Sequence, residues 1–271
     1  MKAAPTTAMG TKARREQAGV LVSATLLAAL LAVKVRPELA VTAHEFEAAT
    51  LACAALALAA HLAGGLSRGG AFAAFVVAFT LWIGAGAMFL LPLLMTFMLT
   101  WLSTTIGRNR KLRLEAEERH GRDALQVLAN SGAAALGAIF LRGVWAQFAI
   151  VAILAEAAAD TVASEIGKAF GGAPRMITSR RKAEPGANGA VTWVGSVAGI
   201  AAALLVAACV TRTWPELWPF APLAALAGVA GMLFDSLLGA TLEPPLNNDA
   251  VNFLGTCFAA GLNCALLWKL H

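Results

Sequence analysis

Val144-Trp-Ala-Gln-Phe-Ala-Ile-Val-Ala-Ile-Leu-Ala-Glu156-Ala-Ala-Ala-Asp160-Thr-Val-Ala-Ser164-Glu165-Ile-Gly167-Lys168 joins an apolar run to evenly spaced polar side chains. Glu156, Asp160, Ser164 and Lys168 recur every four residues, so on a helix they form one polar stripe. A second segment, Asp235-Ser236-Leu-Leu-Gly239-Ala-Thr-Leu-Glu243, repeats the arrangement with Asp235, Gly239 and Glu243. A carboxylate near a membrane helix end is costly unless it faces protein or a watery cavity and has a partner. Two such segments in one chain predict a shared polar site.

The surrounding chain is greasy. Of its 271 residues 59% are hydrophobic and 14% charged, and the mean hydropathy is +0.70, a balance that excludes an ordinary soluble enzyme. The apolar runs are continuous and Ala/Leu-rich, without the period-two alternation of a β-barrel. The expected fold is therefore all-α: a polytopic transmembrane helix bundle, with a basic N-terminus over residues 1–17 and one catalytic domain over 18–271. Tyrosine is absent, so Trp and Phe must supply any interfacial belt. The start, Lys12-Ala-Arg14-Arg15 before an apolar stretch, resembles a signal peptide; without a small-x-small cleavage site it reads as a retained first helix. Cys53, Cys209, Cys257 and Cys264 lack metal-type spacing and read as small core residues. No nucleic-acid partner is expected.

Spans are expected near Val20–Val35, Glu47–Ala63, Asp123–Leu141, Val144–Ala159, Ala190–Val210, Pro219–Ala240 and Ala250–Lys269. Ala71 to Ile106 is too long for one ordinary span and short for two, and Gly84-Ala-Gly86 near its middle is a natural break. With two helices there, sixteen of the 21 lysines and arginines fall on the side of the N-terminus. With one, the basic stretch Arg108-Asn-Arg110-Lys111-Leu-Arg113 lies opposite it. The positive-inside rule favours two. The expectation is about nine spans, some short or re-entrant, N-terminus cytoplasmic, with both acidic motifs on the cytoplasmic side of a bacterial-type inner membrane.

Further polar groups converge on that side. Arg122, Gln126 and Asn130 form a third stripe, read either as interhelical packing glue or as phosphate contacts. Asp160, Glu165 and Asp235 are hard oxygen donors of the kind Mg²⁺ takes together with substrate phosphates, and Lys168 would neutralise a phosphate. The loop Gly171–Gly189 carries glycines, hydroxyls and the cations Arg175, Arg180, Arg181 and Lys182, then enters a helix, a composition that suits phosphate. Asn247, Asn248 and Asn252 stand near Asp235 and Ser236, giving either a buried Asp–Asn pair or further ligands. Gly195-Ser-Val-Ala-Gly199 is assigned to helix packing. No soluble nucleotide-binding motif is present. His44, His61 and His271 are placed away from the acidic site, leaving only His120 near the basic loop. Chemistry here would rest on charge and positioning, as phosphoryl transfer does.

The block DTVASEIGKAFG at Asp160–Gly171, followed by Lys182-x-x-Pro185-Gly186-x-Asn188-Gly189-Ala-Val, resembles the phytyl-phosphate kinase family of integral membrane proteins, which groups with phytol kinases and more distantly dolichol kinases. Ser67-Arg68-x-Gly70-Ala71, Gly121-Arg122 with Gln126-Val-Leu-Ala-Asn130, DSLLGAT at Asp235–Thr241 and Asn248-Asp249-x-Val251-Asn252 match as well. The resemblance implies a CTP-dependent kinase acting with Mg²⁺ on an isoprenyl alcohol or monophosphate. Asp160, Ser164, Glu165 and Lys168 then belong to its main motif, Lys182, Gly186, Asn188 and Gly189 to its nucleotide loop, and Asp235 and Asn252 to later motifs. Glu243 departs from the expected Gln, and Ser179-Arg-Arg-Lys182 is more basic than usual.

A monophosphate acceptor, with a second ionisation near pH ~6, needs no general base. An alcohol would need one, and Asp160 is the candidate. The lack of histidine at the motifs favours the monophosphate. The residues also accommodate a cytidylyltransferase making a CDP-lipid, and an anionic-lipid transporter, although transporters favour midplane sites and internal repeats.

Overall fold

The computed structural model describes residues 42–111, 121–213, 215–242 and 246–269. The basic segment 1–17, the helix expected at Val20–Val35, His120, Glu243 and His271 lie outside the described residues. The chain is all-α: α1 (Ala43–Leu62), α2 (Arg68–Ala85), α3 (Leu90–Thr105), α4 (Ala124–Phe140), α5 (Gly143–Phe170), α6 (Trp193–Thr213), α7 (Ala221–Leu242) and α8 (Asn248–Trp268). A small antiparallel ribbon, β1 (Arg175–Met176) with β2 (Ala190–Val191), folds the loop between α5 and α6.

Six described helical segments are long and apolar enough to cross a membrane, namely α1, α2, the segment Ala87–Thr105, α5, the segment Trp218–Leu242, and α8; α4 and α6 carry shorter apolar stretches. The ambiguous region is two helices. They break at Gly86, which holds φ 111, a conformation open to glycine alone.

Helix α5 is the axis. Every residue from Phe148 to Ala159 is buried, and α3, α4, α6, α7 and α8 all pack on it. A helix apolar all round belongs in the centre of a bundle. Small residues let the neighbours approach at backbone distance. A Cβ at Gly195 would strike the Ala163 carbonyl, and one at Gly199 would come 2.7 Å from the Ala159 carbonyl, so Gly195-Ser-Val-Ala-Gly199 is the packing face read from its spacing. Gly228 of α7 makes the same approach, 2.9 Å from the Glu156 nitrogen. Polar anchors cross the apolar interior: Thr96 Oγ1 donates to the Leu154 carbonyl at 3.1 Å and Asn263 Nδ2 to that of Phe148 at 2.9 Å. Both backbone oxygens belong to α5, which is thereby fixed along its axis.

At 28 residues α5 is about 42 Å long, beyond the roughly 30 Å of hydrocarbon in a bilayer. The span expected to end at Ala159 continues unbroken through the acidic motif to Phe170. Of the cysteines, Cys53 and Cys209 are core residues as expected, whereas Cys257 is exposed and Cys264 half-buried on α8.

Replacing Gly199 by leucine should lower stability by about 1–3 kcal/mol through overpacking, read as a lower thermal unfolding midpoint in detergent. An unchanged midpoint would show that α6 and α5 are not held at backbone contact.

Candidate functional site

One cavity of about 1110 Å³ opens at the end of the bundle where α5 finishes. It is bordered by the starts of α2, α4, α6 and α8 and the ends of α1, α3, α5 and α7. Each of the four helix starts has a side-chain cap: Ser67 Oγ accepts from Gly70 N, Asp123 Oδ1 from Gln126 N, Thr192 Oγ1 from Gly195 N, and Asn247 Oδ1 from Ala250 N. Four positive helix ends around one cavity favour an anion within it.

The scattered motifs assemble by backbone contact. Ser67 N donates to the Arg122 carbonyl at 3.0 Å, and Arg122 N to that of Gly65 at 3.0 Å. A Cβ at Gly70 would collide with the Arg122 carbonyl, so the Ser67-Arg68-x-Gly70 and Gly121-Arg122 motifs form a single joint. The glycine loop docks on the second acidic motif: Gly189, at φ 74, is pressed against Ala240 so closely that any Cβ there would overlap it. Gly186 lies beside Lys168, whose Cε a Cβ there would meet at 3.9 Å.

Asp160, Ser164, Glu165, Lys168, Arg122, Gln126, Asn130, Gly186, Asn188, Gly189, Asp235, Ser236 and Asn252 all line this cavity. Two expected residues do not. Lys182 is exposed and bridges Arg175 across the loop, its side chain outside the cavity wall. Glu156 lies one turn deeper, 1% exposed. Among the described residues its Oε1 has no hydrogen-bond partner, and glycines at 231 and 255 make room for it, a Cβ at Gly255 coming 2.6 Å from that oxygen and 3.3 Å from Asp235 Cβ. The two acidic motifs therefore meet beneath the cavity floor.

Several side chains have structural duties. Gln126 closes a capping box, its Oε1 accepting from Asp123 N at 3.0 Å. Asn130 Nδ2 donates to the Gln126 carbonyl at 2.8 Å. Asn252, with its amide nitrogen turned toward acceptors, donates to Asp235 Oδ2 at 3.1 Å and the Asn248 carbonyl at 3.2 Å, making the Asp–Asn pair one of the two arrangements expected.

The three proposed metal donors are not one cage. Among the described residues no three acidic, histidine or cysteine side chains cluster around a metal-sized space. Glu165 is instead buried in an ion pair: Lys111 Nζ contacts its Oε2 at 2.7 Å and Lys168 Nζ its Oε1 at 3.6 Å. Asp160 and Asp235 remain as carboxylates on the cavity wall, a number that suits a hard cation completing its shell with water and phosphate.

The residue that spacing did not reveal is Lys111. It also donates to the carbonyls of Ser103 at 2.8 Å and Thr104 at 2.7 Å, capping α3, while Arg110 reaches the Ala169 carbonyl at 3.2 Å near the end of α5. In a run of cations nothing local marks the one that will be buried. Histidine needs a correction too. His61 lines the cavity, its Nδ1 2.7 Å from the Leu66 carbonyl, because the α1–α2 loop folds over the site from a span distant in sequence.

An apolar helix bundle with a polar cavity at one end is the architecture of an integral membrane protein. The chain belongs to the DUF92 family of integral membrane proteins, which it matches over residues 51–260. An uncharacterized membrane protein of Methanocaldococcus jannaschii is 32% identical over 195 residues, 70% of this chain and 81% of that protein. Protein PGR of Arabidopsis thaliana is 32% identical over 209 residues, 66% of this chain and 72% of the relative, and Protein VTE6, chloroplastic, from the same plant is 28% identical over 205 residues, 70% and 62%. No solved structure matches.

Replacing Lys111 by methionine removes the shorter of these two ion pairs from a buried carboxylate, so stability should fall by about 3 kcal/mol. Adding Glu165→Gln should restore much of that loss. Both are read from thermal unfolding in detergent. A Lys111→Met protein as stable as the parent would remove the pair from the account.

Proposed function

We propose that this protein is a membrane kinase that transfers a phosphoryl group from a nucleoside triphosphate, CTP by family resemblance, to an isoprenyl monophosphate, giving the diphosphate. The observation that carries the reading is the gathering of Asp160, Asp235, Lys168, Arg122 and the Gly186–Gly189 loop around one cavity at the end of apolar helices. A donor with several phosphates needs cations and backbone N–H groups, and a lipid acceptor explains why the site opens where helices leave the bilayer. The resemblance of the DTVASEIGK block to phytyl-phosphate kinases supports the same assignment.

In this mechanism Lys168 and Arg122 bind phosphate oxygens, with Lys168 held in place by Glu165. Asp160 and Asp235 would hold Mg²⁺, whose chemistry is to neutralise charge on the transferring phosphoryl group. An oxygen of the acceptor phosphate attacks the terminal phosphorus of the donor, the bond to the bridging oxygen breaks, and the nucleoside diphosphate leaves. An acceptor already ionised requires no general base, consistent with a reaction run by positioning and charge.

Mass spectrometry of products from CTP, Mg²⁺ and farnesyl phosphate should show the isoprenyl diphosphate. A CDP-lipid would replace this reading by a cytidylyltransferase, and no product by a non-enzymatic one. Asp160→Asn should cut transfer at least about a hundredfold while the protein still inserts and folds. Turnover near that of the parent at saturating Mg²⁺ would end the ligand role.

The reading also places the cavity on the cytoplasmic side of the inner membrane, where nucleotide is supplied, in a bundle of about nine spans. A cysteine introduced at Ser179, in the loop between β1 and β2, should react with an impermeant thiol reagent only in inverted vesicles or opened cells. One introduced at Thr213, the last residue of α6, should show the reverse. Labelling of position 179 from outside intact cells would overturn both the orientation and the nucleotide supply.

A further inference from the structure

A second, smaller cavity of about 250 Å³ lies against the outside of the bundle, walled by Ala133, Gly137 and Phe140 of α4, Ile153 of α5, and Cys257 and Ala260 of α8. Its walls carry no charge, and it is open along one side, where Phe140 is 68% exposed. Its position relative to the polar cavity follows from helix periodicity. The polar residues that begin with Arg122, just before α4, run through Gln126 and Asn130 on the helix and continue as Ala133 and Gly137, spaced by three or four residues and so on one face, with Leu141 just past the helix end. On α8, Asp249 and Asn252 line the polar cavity, and Cys257 and Ala260, two turns on, line the apolar one. On α5, Asp160 lies two turns beyond Ile153 along the same face. Three helices thus pass from polar to apolar along a shared seam, and on α4 only about 4.5 Å of helix rise separates Asn130 from Ala133.

A ligand with a charged head and a long apolar tail matches this change in character, its head at Arg122 and Lys168 and its tail along the groove toward the bilayer interior. We propose that the α4–α8 groove is the tail-binding subsite for an isoprenoid chain, and that it reads chain length. The proposal rests on the acceptor assigned above. From Asn130 on the polar cavity wall to Leu141 at the far end of the groove, the path along α4 is about 16 Å. An extended isoprene unit adds four main-chain carbons, roughly 5 Å by ordinary C–C geometry, so about three units are gripped before the chain passes into lipid. Burying each unit removes apolar surface from water, so discrimination should rise from C5 to C15 acceptors and level off at C20. Gly137 is the position that tunes it. Gly137 lines the groove, and among the described residues a Cβ there meets Ile150 at 3.6 Å and Leu141 at 3.8 Å, ordinary contacts, so a larger side chain at this position tests the groove without a clash at Cβ.

The test compares C5, C10, C15 and C20 isoprenyl monophosphates in the parent, Gly137→Phe, Leu136→Trp at the groove edge, and Leu226→Trp on the exposed face of α7. The ratio of kcat/KM for C20 over C5 should fall at least tenfold in the two groove variants and stay at the parent value in Leu226→Trp. A ratio unmoved in the groove variants, or moved equally in all three, would overturn the proposal. A parent enzyme that turns over none of these acceptors refutes the kinase reading instead. The groove is then judged by binding, with a geranylgeranyl phosphate carrying a diazirine near the tail end. Crosslinks concentrated in residues 133–141 and 257–260 support the subsite, and labelling spread evenly over lipid-facing helices marks it as a place where bulk lipid rests.

Discussion

The structure depends on how closely other helices can approach α5. Its middle, from Phe148 to Ala159, is buried on every side, and half of the side chains there are alanine, so neighbouring backbones come within contact of it through Gly195, Gly199 and Gly228. Lipid tails are as apolar as leucine, so association inside a membrane gains little from the hydrophobic effect and relies on packing and on hydrogen bonds such as those of Thr96 and Asn263. A helix held this tightly can carry carboxylates in its last turns without wandering. That rigidity gives Asp160 a defined place.

Charge at the open end is arranged in layers. Glu165 is paired with Lys111 and Lys168, whereas Asp160 and Asp235 stand on the cavity wall. Below them, Glu156 fills the space that Gly231 and Gly255 leave open against Asp235. Above them, four capped helix starts and the glycine loop present backbone N–H groups. The arrangement attracts anions near the rim and concentrates carboxylates at the floor, which a phosphate-rich ligand with a hard cation would satisfy. Away from this polar end, a second, apolar cavity lies between α4 and α8.

Misplaced expectations share a cause. Lys182 sits next to the glycine loop in sequence, yet the loop turns at β1 and β2 so that Gly189 and Gly186 lie against Ala240 and Lys168, while Lys182 pairs through its backbone with Arg175 and its side chain is exposed. His61 ends a span that sequence places away from the acidic motifs, but the α1–α2 loop borders the cavity and brings it to the wall. Gln126 belongs to a polar stripe by spacing, and only the geometry of Asp123 shows that its side chain completes a helix cap.

Local sequence determined the helices. Inside a bilayer every backbone group must be satisfied within its own segment, so apolar length and glycine breaks mark α1 to α8, including the division at Gly86, with no knowledge of neighbours. It also determined which faces are polar, because a period of four places Asp160, Ser164 and Lys168 on one side of α5 whatever surrounds it. Tertiary structure decided the pairing. Lys111 and Glu165 lie 54 residues apart, and nothing in a run of cations distinguishes the one that will lose its water. Burial is a property of the assembled bundle, and only the assembled bundle separates a carboxylate paired with lysines from one on a cavity wall.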